Sequence, residues 1–481
     1  MQRIILGGVA LLCAGLAAAW AQDDVRVDIQ QYDNGGIYEG EFQGGARHGQ
    51  GAYRLPNGYE YVGAWINGEI HGQGRATFPD GSVYEGGFVA GKPHGQGQIR
   101  FADGSTYDGD WAEGRIHGAG MAVYSNGVTY QGTFLDALHH GTGVMIGPNG
   151  YRYDGEWQNG QKHGQGTITY PDGAVYVGAL ATDHREGFGR LEMADGMIYE
   201  GQWSEDQIDG EGVLTQPNGD VYEGPLSQGE RQGEGTMRYA NGDFYRGNFN
   251  DDRREGQGTF MGIDGYTYVG EWRDGRISGR GEATYPDGAV YVGYFLNDLA
   301  HGRGTITYPT GASYGGEWVD GVIEGEGIAQ YANGLTYEGQ FLNARQHGHG
   351  VMTHPDGYRY EGQWEDGLRH GLGMFTYADG TIYDGSFSVG EREGQGRLTM
   401  PDGFSYIGEW TDDEINGFGI ATYPNGDVYE GRFLNGQRHG NGTIRYADGT
   451  IARGEWDSGD LVSGTTTTAP NSQPLESVQQ P

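Results

Sequence analysis

The sequence predicts an all-β fold: an elongated, twisted antiparallel β-meander of tandem 23-residue β-hairpin repeats, solenoid-like in organisation. Three observations predict it. A tyrosine recurs every 23 residues from Tyr38 to Tyr429, with no insertion or deletion. Each unit holds two segments of period-two alternation, the pattern of strands. Between them stand Asn-Gly and Asp-Gly pairs, which favour hairpin turns because those turns need positive φ. A strict period of this length marks one supersecondary unit stacked on itself.

The first segment, residues 1–21, reads as a signal peptide. Arg3 precedes an apolar run from Ile4, and the run ends in Ala19-Trp20-Ala21, a small-x-small cleavage pattern. The alternative is an uncleaved membrane anchor. The only cysteine, Cys13, lies in this run, so a chain cleaved after Ala21 has neither disulfide nor thiol chemistry. Residues 22–37 read as an N-terminal capping segment, with Asp33-Asn34-Gly35 in register with the repeat turns.

Residues 38–451 hold eighteen repeats. In the unit starting at Tyr61, one strand runs Tyr61-Val62-Gly63-Ala64-Trp65. A loop is expected over Asn67–Gly72, a second strand over Gly74–Phe78, and a tight turn at Pro79-Asp80-Gly81. One face then carries Tyr61, Trp65, Ala76 and Phe78, with glycine slots that the rings would cover. The other face often carries carboxylates, as at Glu39, Glu41, Asp108 and Asp110. Two strands per repeat at about 4.8 Å each would stretch eighteen repeats to roughly 170 Å, long enough to require twist. Residues 452–463 read as a partial C-terminal capping repeat, and 464–481, rich in Thr, Ser, Gln and Pro, as a disordered tail.

All nine tryptophans after residue 21 occupy one repeat position: Trp65, Trp111, Trp157, Trp203, Trp272, Trp318, Trp364, Trp410 and Trp456. They alternate with Phe or Leu in neighbouring repeats and form the candidate interaction stripe, since large apolar patches mark contact sites. The departures Leu180, Pro225, Leu226 and Thr310 are where a special site would sit.

Composition excludes several functions. Asp+Glu is 66 against Lys+Arg 30, a net charge of −36. Nucleic acid is no partner for such a chain, and membrane-lipid binding is doubtful for the same reason. Glycine reaches 96 residues, yet at fixed offsets among 34 Tyr, 16 Phe and 10 Trp, which argues against disorder.

Ten histidines, from His48 to His439, share one repeat position. Equivalent sites two strands apart are about 9.6 Å from each other, too far to share a metal ion; bonding to the hairpin loop explains them. The Asx residues before the turn glycines, such as Asn57 and Asp80, are explained by the turn rather than by calcium, which needs six to eight oxygens at one point. Gly-x-Gly recurs without a following helix, so the dinucleotide fingerprint fails. No enzyme, catalytic residue, cofactor or metal is expected.

Tyr-x-Gly-x-Phe/Trp, a loop, His-Gly-x-Gly and Pro-Asp/Asn-Gly at 23-residue spacing resemble the MORN repeat (membrane occupation and recognition nexus), as in residues 38–60, YEGEFQGGARHGQGAYRLPNGYE. The resemblance implies a hairpin array acting as a scaffold or interaction platform. With a leader and no partner domain, the chain looks like a bacterial protein of the secreted type. The expected function is a non-enzymatic scaffold for protein–protein interaction in the bacterial envelope or outside the cell, periplasmic or extracellular, with a homodimer expected from pairing of aromatic faces. The alternative is a carbohydrate- or lipid-binding array using the Trp/Tyr stripe. A spacer or adhesin stalk is a third reading.

Overall fold

In the computed structural model, residues 25–468 are described; the leader of residues 1–21 and the end of the tail fall outside them. The described residues form strands and turns, with no helix among them. Two compact units divide at Pro217/Asn218. The first contains seventeen strands, from β1 (Arg26–Gln31) to the strand Gln207–Thr215. Within this unit each strand pairs antiparallel with the next, a plain meander. The second runs from Val221–Ser227 to Asp460–Thr467 in the same order.

One repeat shows why the chain folds this way. After β2 (Ile37–Gln43) and β3 (Ala46–Arg54) come β4 (Glu60–Ile66) and β5 (Glu69–Thr77). The six-residue loop expected over Asn67–Gly72 is instead a two-residue turn. Asn67 and Gly68 both have positive φ, 51° and 87°, the geometry that matches strand twist. Its surplus residues go into a bulge. Gly63 pairs with Gly74 and Trp65 with Ile70, so the register shifts between them, and Gly72 sits in the bulge at φ 77°. The second strand also ends earlier than expected, at Thr77. Phe78 belongs to the connecting turn, where its N–H donates to the Ser82 carbonyl and Gly81 N–H donates to the Phe78 carbonyl.

The core is the tyrosine face of the sheet itself. All eighteen repeat tyrosines are buried. Tyr61 lies over the cross-strand pair Gly63 and Gly74; a Cβ on Gly74 would stand 2.5 Å from ring atoms Cε2 and Cζ. The hydroxyl donates to the Ala64 carbonyl at 3.0 Å. The ring then meets Trp65 edge-on at 5.4 Å and Phe88 of the next repeat at 5.1 Å. Edge-to-face contacts of this kind add to area burial, and they carry the core from repeat to repeat.

Both ends of the array are strand-capped. β1 pairs with β2 in continuous register from Arg26↔Phe42 to Gln31↔Ile37. At the other end, Ile451–Asp457 pairs with Asp460–Thr467. The latter strand crosses Gly464, so the expected tail start at 464 is corrected: the chain stays in the ladder through Thr467, its Thr465 and Thr466 paired with Arg453 and Ala452. Threonine is β-branched and suits a strand, whatever its frequency in disordered tails.

Candidate interaction surface

The tryptophan stripe is not a contact surface. The nine indoles retain only 2–8 % of their accessible area. Each indole N–H donates to a glycine carbonyl fourteen residues earlier, as from Trp65 Nε1 to Gly51 at 3.2 Å and from Trp456 Nε1 to Gly442 at 3.2 Å. The expectation of an exposed aromatic stripe, and with it of sugar rings stacking on these tryptophans, is corrected. The rings lie along the sheet and bury one another, as Tyr61 does with Trp65 and Phe88.

One position that the sequence reading passed over organises this face. It is the residue two places after the turn. Six isoleucines occupy it: Ile70, Ile116, Ile208, Ile277, Ile323 and Ile415. Every one is the cross-strand partner of a tryptophan in its own hairpin. Arginine occupies it in six of the ten hairpins built on the smaller Phe or Leu, as in Phe42↔Arg47 and Phe433↔Arg438; Pro93, His139, Ala300 and Gln346 fill it in the other four, and Trp364↔Arg369 and Trp157↔Lys162 depart from the isoleucine rule. The guanidinium then reaches the ring of the following repeat. It stands 4.2 Å from the centroid of Trp65 for Arg47, 4.1 Å from Trp203 for Arg185, and 4.1 Å from Trp272 for Arg254. At five of the nine tryptophans the Trp/Phe alternation thus has a physical basis: a smaller side chain at the ring position leaves room for an arginine that covers the next indole.

The turns are braced in the same inter-repeat sense. Asp183, Asp206, Asp252, Asp298 and Asp413 hold positive φ where other repeats place glycine. Each accepts the backbone N–H of the residue 21 places earlier, such as Arg185 N at 2.9 Å for Asp206. Asp206 Oδ1 also accepts from Arg185 Nε at 3.1 Å. Burial raises the Asp206 carboxyl, but the hydrogen bonds from Arg185 and from His184, whose Nδ1 lies 2.6 Å from Oδ2, outweigh it and hold the group below the usual carboxylate range. The histidine position works similarly. His301 Nδ1 accepts the Asp320 N–H at 3.4 Å, and Glu255 and Glu324 do the same for Asp274 and Asn343. Asn57 and Asp80 accept the N–H two residues on, closing their turns. Among the described residues, no three His, Cys, Asp or Glu side chains converge on a metal position.

The singled-out departures are structural. Leu180 and Leu226 are buried on the ring position. Pro225 interrupts its hairpin: the partner strand splits into Glu230–Arg231 and Gly233–Arg238, and the Gln232 N–H donates to the Pro225 carbonyl. Thr310 Oγ1 replaces the usual Asx oxygen and accepts from Ala312 N at 3.4 Å.

The opposite face differs from the acidic sheet expected. Carboxylates are present, but so are exposed aliphatic and aromatic side chains, among them Val269, Val292, Tyr294, Ile328, Leu372 and Phe418. Ile407 and Ile420 are exposed cross-strand partners. In the second unit a groove of about 1080 Å³ is lined by Val269, Val292, Tyr294 and Ile328 between Arg280, Arg303, Glu282 and Glu326. The Arg280 guanidinium is 5.5 Å from the Tyr294 ring centroid. Apolar residues in a charged frame are the composition of a protein contact.

The MORN repeat model matches seventeen segments between residues 38 and 451, omitting 176–198 within the array. The chain belongs to the MORN repeat family. The unmatched unit of this MORN array, with Leu180 at its ring position, still forms the standard hairpin, Val175–Ala181 on His184–Glu192. No curated protein matches the chain. Among solved structures it is similar to the Drosophila melanogaster SAS-4 (dCPAP) TCP domain in complex with a proline-rich motif of Ana2 (dSTIL). That match has 15 % identity over 33 % of this chain and 89 % of that one, with a TM-score of 0.22. It is also similar to the Danio rerio CPAP TCP10 domain in complex with a STIL peptide, at 14 % identity over 61 % and 94 %, TM-score 0.16. A Staphylococcus aureus virginiamycin B lyase with quinupristin matches at 12 % identity over 63 % and 88 %, TM-score 0.11. At these TM-scores no functional argument rests on the likeness.

Proposed function

We propose that this MORN array is a non-enzymatic scaffold that binds other proteins, acting in the bacterial envelope or outside the cell. The observation that carries the reading is the division of labour between faces. The repeat commits its conserved-in-period aromatics to its own core and leaves an exposed row of Val, Ile, Phe and Tyr on the other face. The family supports the scaffold class, and the leader-like N-terminal segment supports export. The groove at Val292 and Tyr294 is the contact we favour. The homodimer expected from pairing of aromatic faces loses that basis, since those rings are buried; light scattering at micromolar concentration tests it, with a monomer removing the homodimer.

Affinity capture with the chain from a crosslinked native envelope fraction tests the scaffold. One or two proteins recovered in stoichiometric amount support it. Recovery of glycan or lipid without protein contradicts it.

A further inference from the structure

The arginines of this array show what its tryptophans bind, and four tryptophans lack one: His139 and Gln346 hold the covering position for Trp157 and Trp364, Ala300 for Trp318 and Pro93 for Trp111. In five repeat pairs the guanidinium stands 4.1–4.5 Å from the indole centroid. In the same five, Nη2 donates to a turn carbonyl, that of Gly68, Asp206, Gly275, Asp413 or Gly459. At Trp111 the equivalent position holds Pro93, partner of Phe88. Proline offers no cation to the ring and no donor to the carbonyl of Gly114, the counterpart of Gly68. Trp111 is the most exposed of the nine indoles at 8 %, followed by Trp318 at 7 %, whose covering position is Ala300.

The missing side chain leaves a cavity of about 500 Å³, lined by Phe78, Pro93, Phe101, Trp111, Gly114 and Asp136, among others. The nearby cations are engaged elsewhere: Lys92 Nζ pairs with Glu113 at 3.1 Å and Arg115 Nη1 with Asp136 at 3.3 Å. We propose that this cavity receives an arginine side chain from a protein partner, its guanidinium on the Trp111 ring and donating to the Gly114 carbonyl. The inference deepens the scaffold reading by naming the partner chemistry at one place in the array. A planar fork of donors fits a ring face and a carbonyl together in a way that the lysine point charge does not. The net charge of −36 favours a cationic partner.

The test uses the full chain labelled with [15N]tryptophan, with the Trp111 indole signal assigned by Trp111→Phe. The probe is acetyl-Gly-Arg-Gly amide, and its citrulline counterpart is the uncharged control. The Trp111 signal shifts with the arginine peptide, the five arginine-covered indoles do not, and citrulline binds about tenfold more weakly, as loss of a charged hydrogen bond implies. Pro93→Arg, which copies seven other hairpins, abolishes the shift while the circular dichroism stays native. Pro93→Met, which fills the space without charge, does the same. Uniform shifts of all indoles, equal binding of citrulline, or unchanged binding to both Pro93 variants would overturn the proposal, since attraction to an acidic chain would explain them. Failure here with proteins still captured from the envelope leaves the scaffold standing. Binding here with no captured protein removes the scaffold and keeps the site.

Discussion

Arg47 covers Trp65 across a repeat boundary, its guanidinium carbon 4.2 Å from the ring centroid and its Nη2 donating to the Gly68 carbonyl at 2.8 Å. The side chain therefore ties the hairpin β2–β3 to the turn between β4 and β5. Arg47→Met keeps the stem and removes the charge and the donor. A charged hydrogen bond of this kind contributes about 1.5–3 kcal/mol. Stability in an array is a sum of nearest-neighbour terms, so the loss is local: amide exchange accelerates in Arg47–Thr77 and stays unchanged beyond Trp157.

Two glycines of one repeat separate packing from backbone conformation. Gly81 has φ 91° with open space where its Cβ would stand, whereas Gly74 is covered by the Tyr61 ring. Gly81→Ala costs about 1–2 kcal/mol for a left-handed residue. Gly74→Ala also displaces a buried ring from its hydroxyl's hydrogen bond, so its cost exceeds the 1–3 kcal/mol or so of ordinary overpacking. Denaturant midpoints of the two variants check the order.

His139 makes one hairpin sensitive to acid. Its ring stacks on Tyr130 at 3.7 Å, meets Trp157 at 4.7 Å, and places Nε2 2.7 Å from Tyr124 Oη. Burial pushes its pKa down from 6.5 to about 4. The folded state thus favours the neutral ring: its contribution is full above pH 6.5 and is lost as pH falls toward 4. His139→Gln copies Gln346, which donates to Tyr331 Oη from the same repeat position. That variant removes the acid-sensitive exchange of the strand Leu138–Ile146; persistence of the sensitivity would assign it to another group.

The tyrosines set the alkaline limit. Burial pushes the phenols of Tyr61, Tyr84 and Tyr291 up from 10.0 to about 12. The neutral form is the folded form, so the stabilisation is complete below pH 10 and is lost as pH rises through 12. Tyrosinate absorbance and loss of β-sheet circular dichroism should rise together in this window. Ionisation near pH 10 with the sheet intact would contradict buried tyrosines.

Much of this fold was legible in the residues. The fixed glycines at Gly63, Gly74 and Gly81, and the alternation of Tyr61, Gly63 and Trp65, specify strands, faces and turns without any long-range information. The loop at Asn67–Gly72 was misread because its glycines signal a bulge and a turn equally; only the pairing of Trp65 with Ile70 distinguishes them. The tryptophan stripe was misassigned for a related reason. Period reveals that Trp65 and Trp111 share a face, but not that the tyrosine of the preceding repeat, Tyr38 or Tyr84, meets each ring edge-on, nor that Arg47 covers Trp65. The alternation of Ile70 and Arg47 with ring size carries that information in the sequence. The open slot at Pro93 follows from that same column of residues, read against the one chain's own repeats.

The tryptophan stripe is the array's own core. Acrylamide quenching of tryptophan fluorescence tests it most directly, with Trp20→Phe so that only the nine stripe indoles emit. The account predicts weak quenching in the native chain, confined largely to Trp111 and Trp318, and strong quenching in urea. Native quenching as strong as in urea would show that the indoles stand open to solvent and return the stripe to the contact surface.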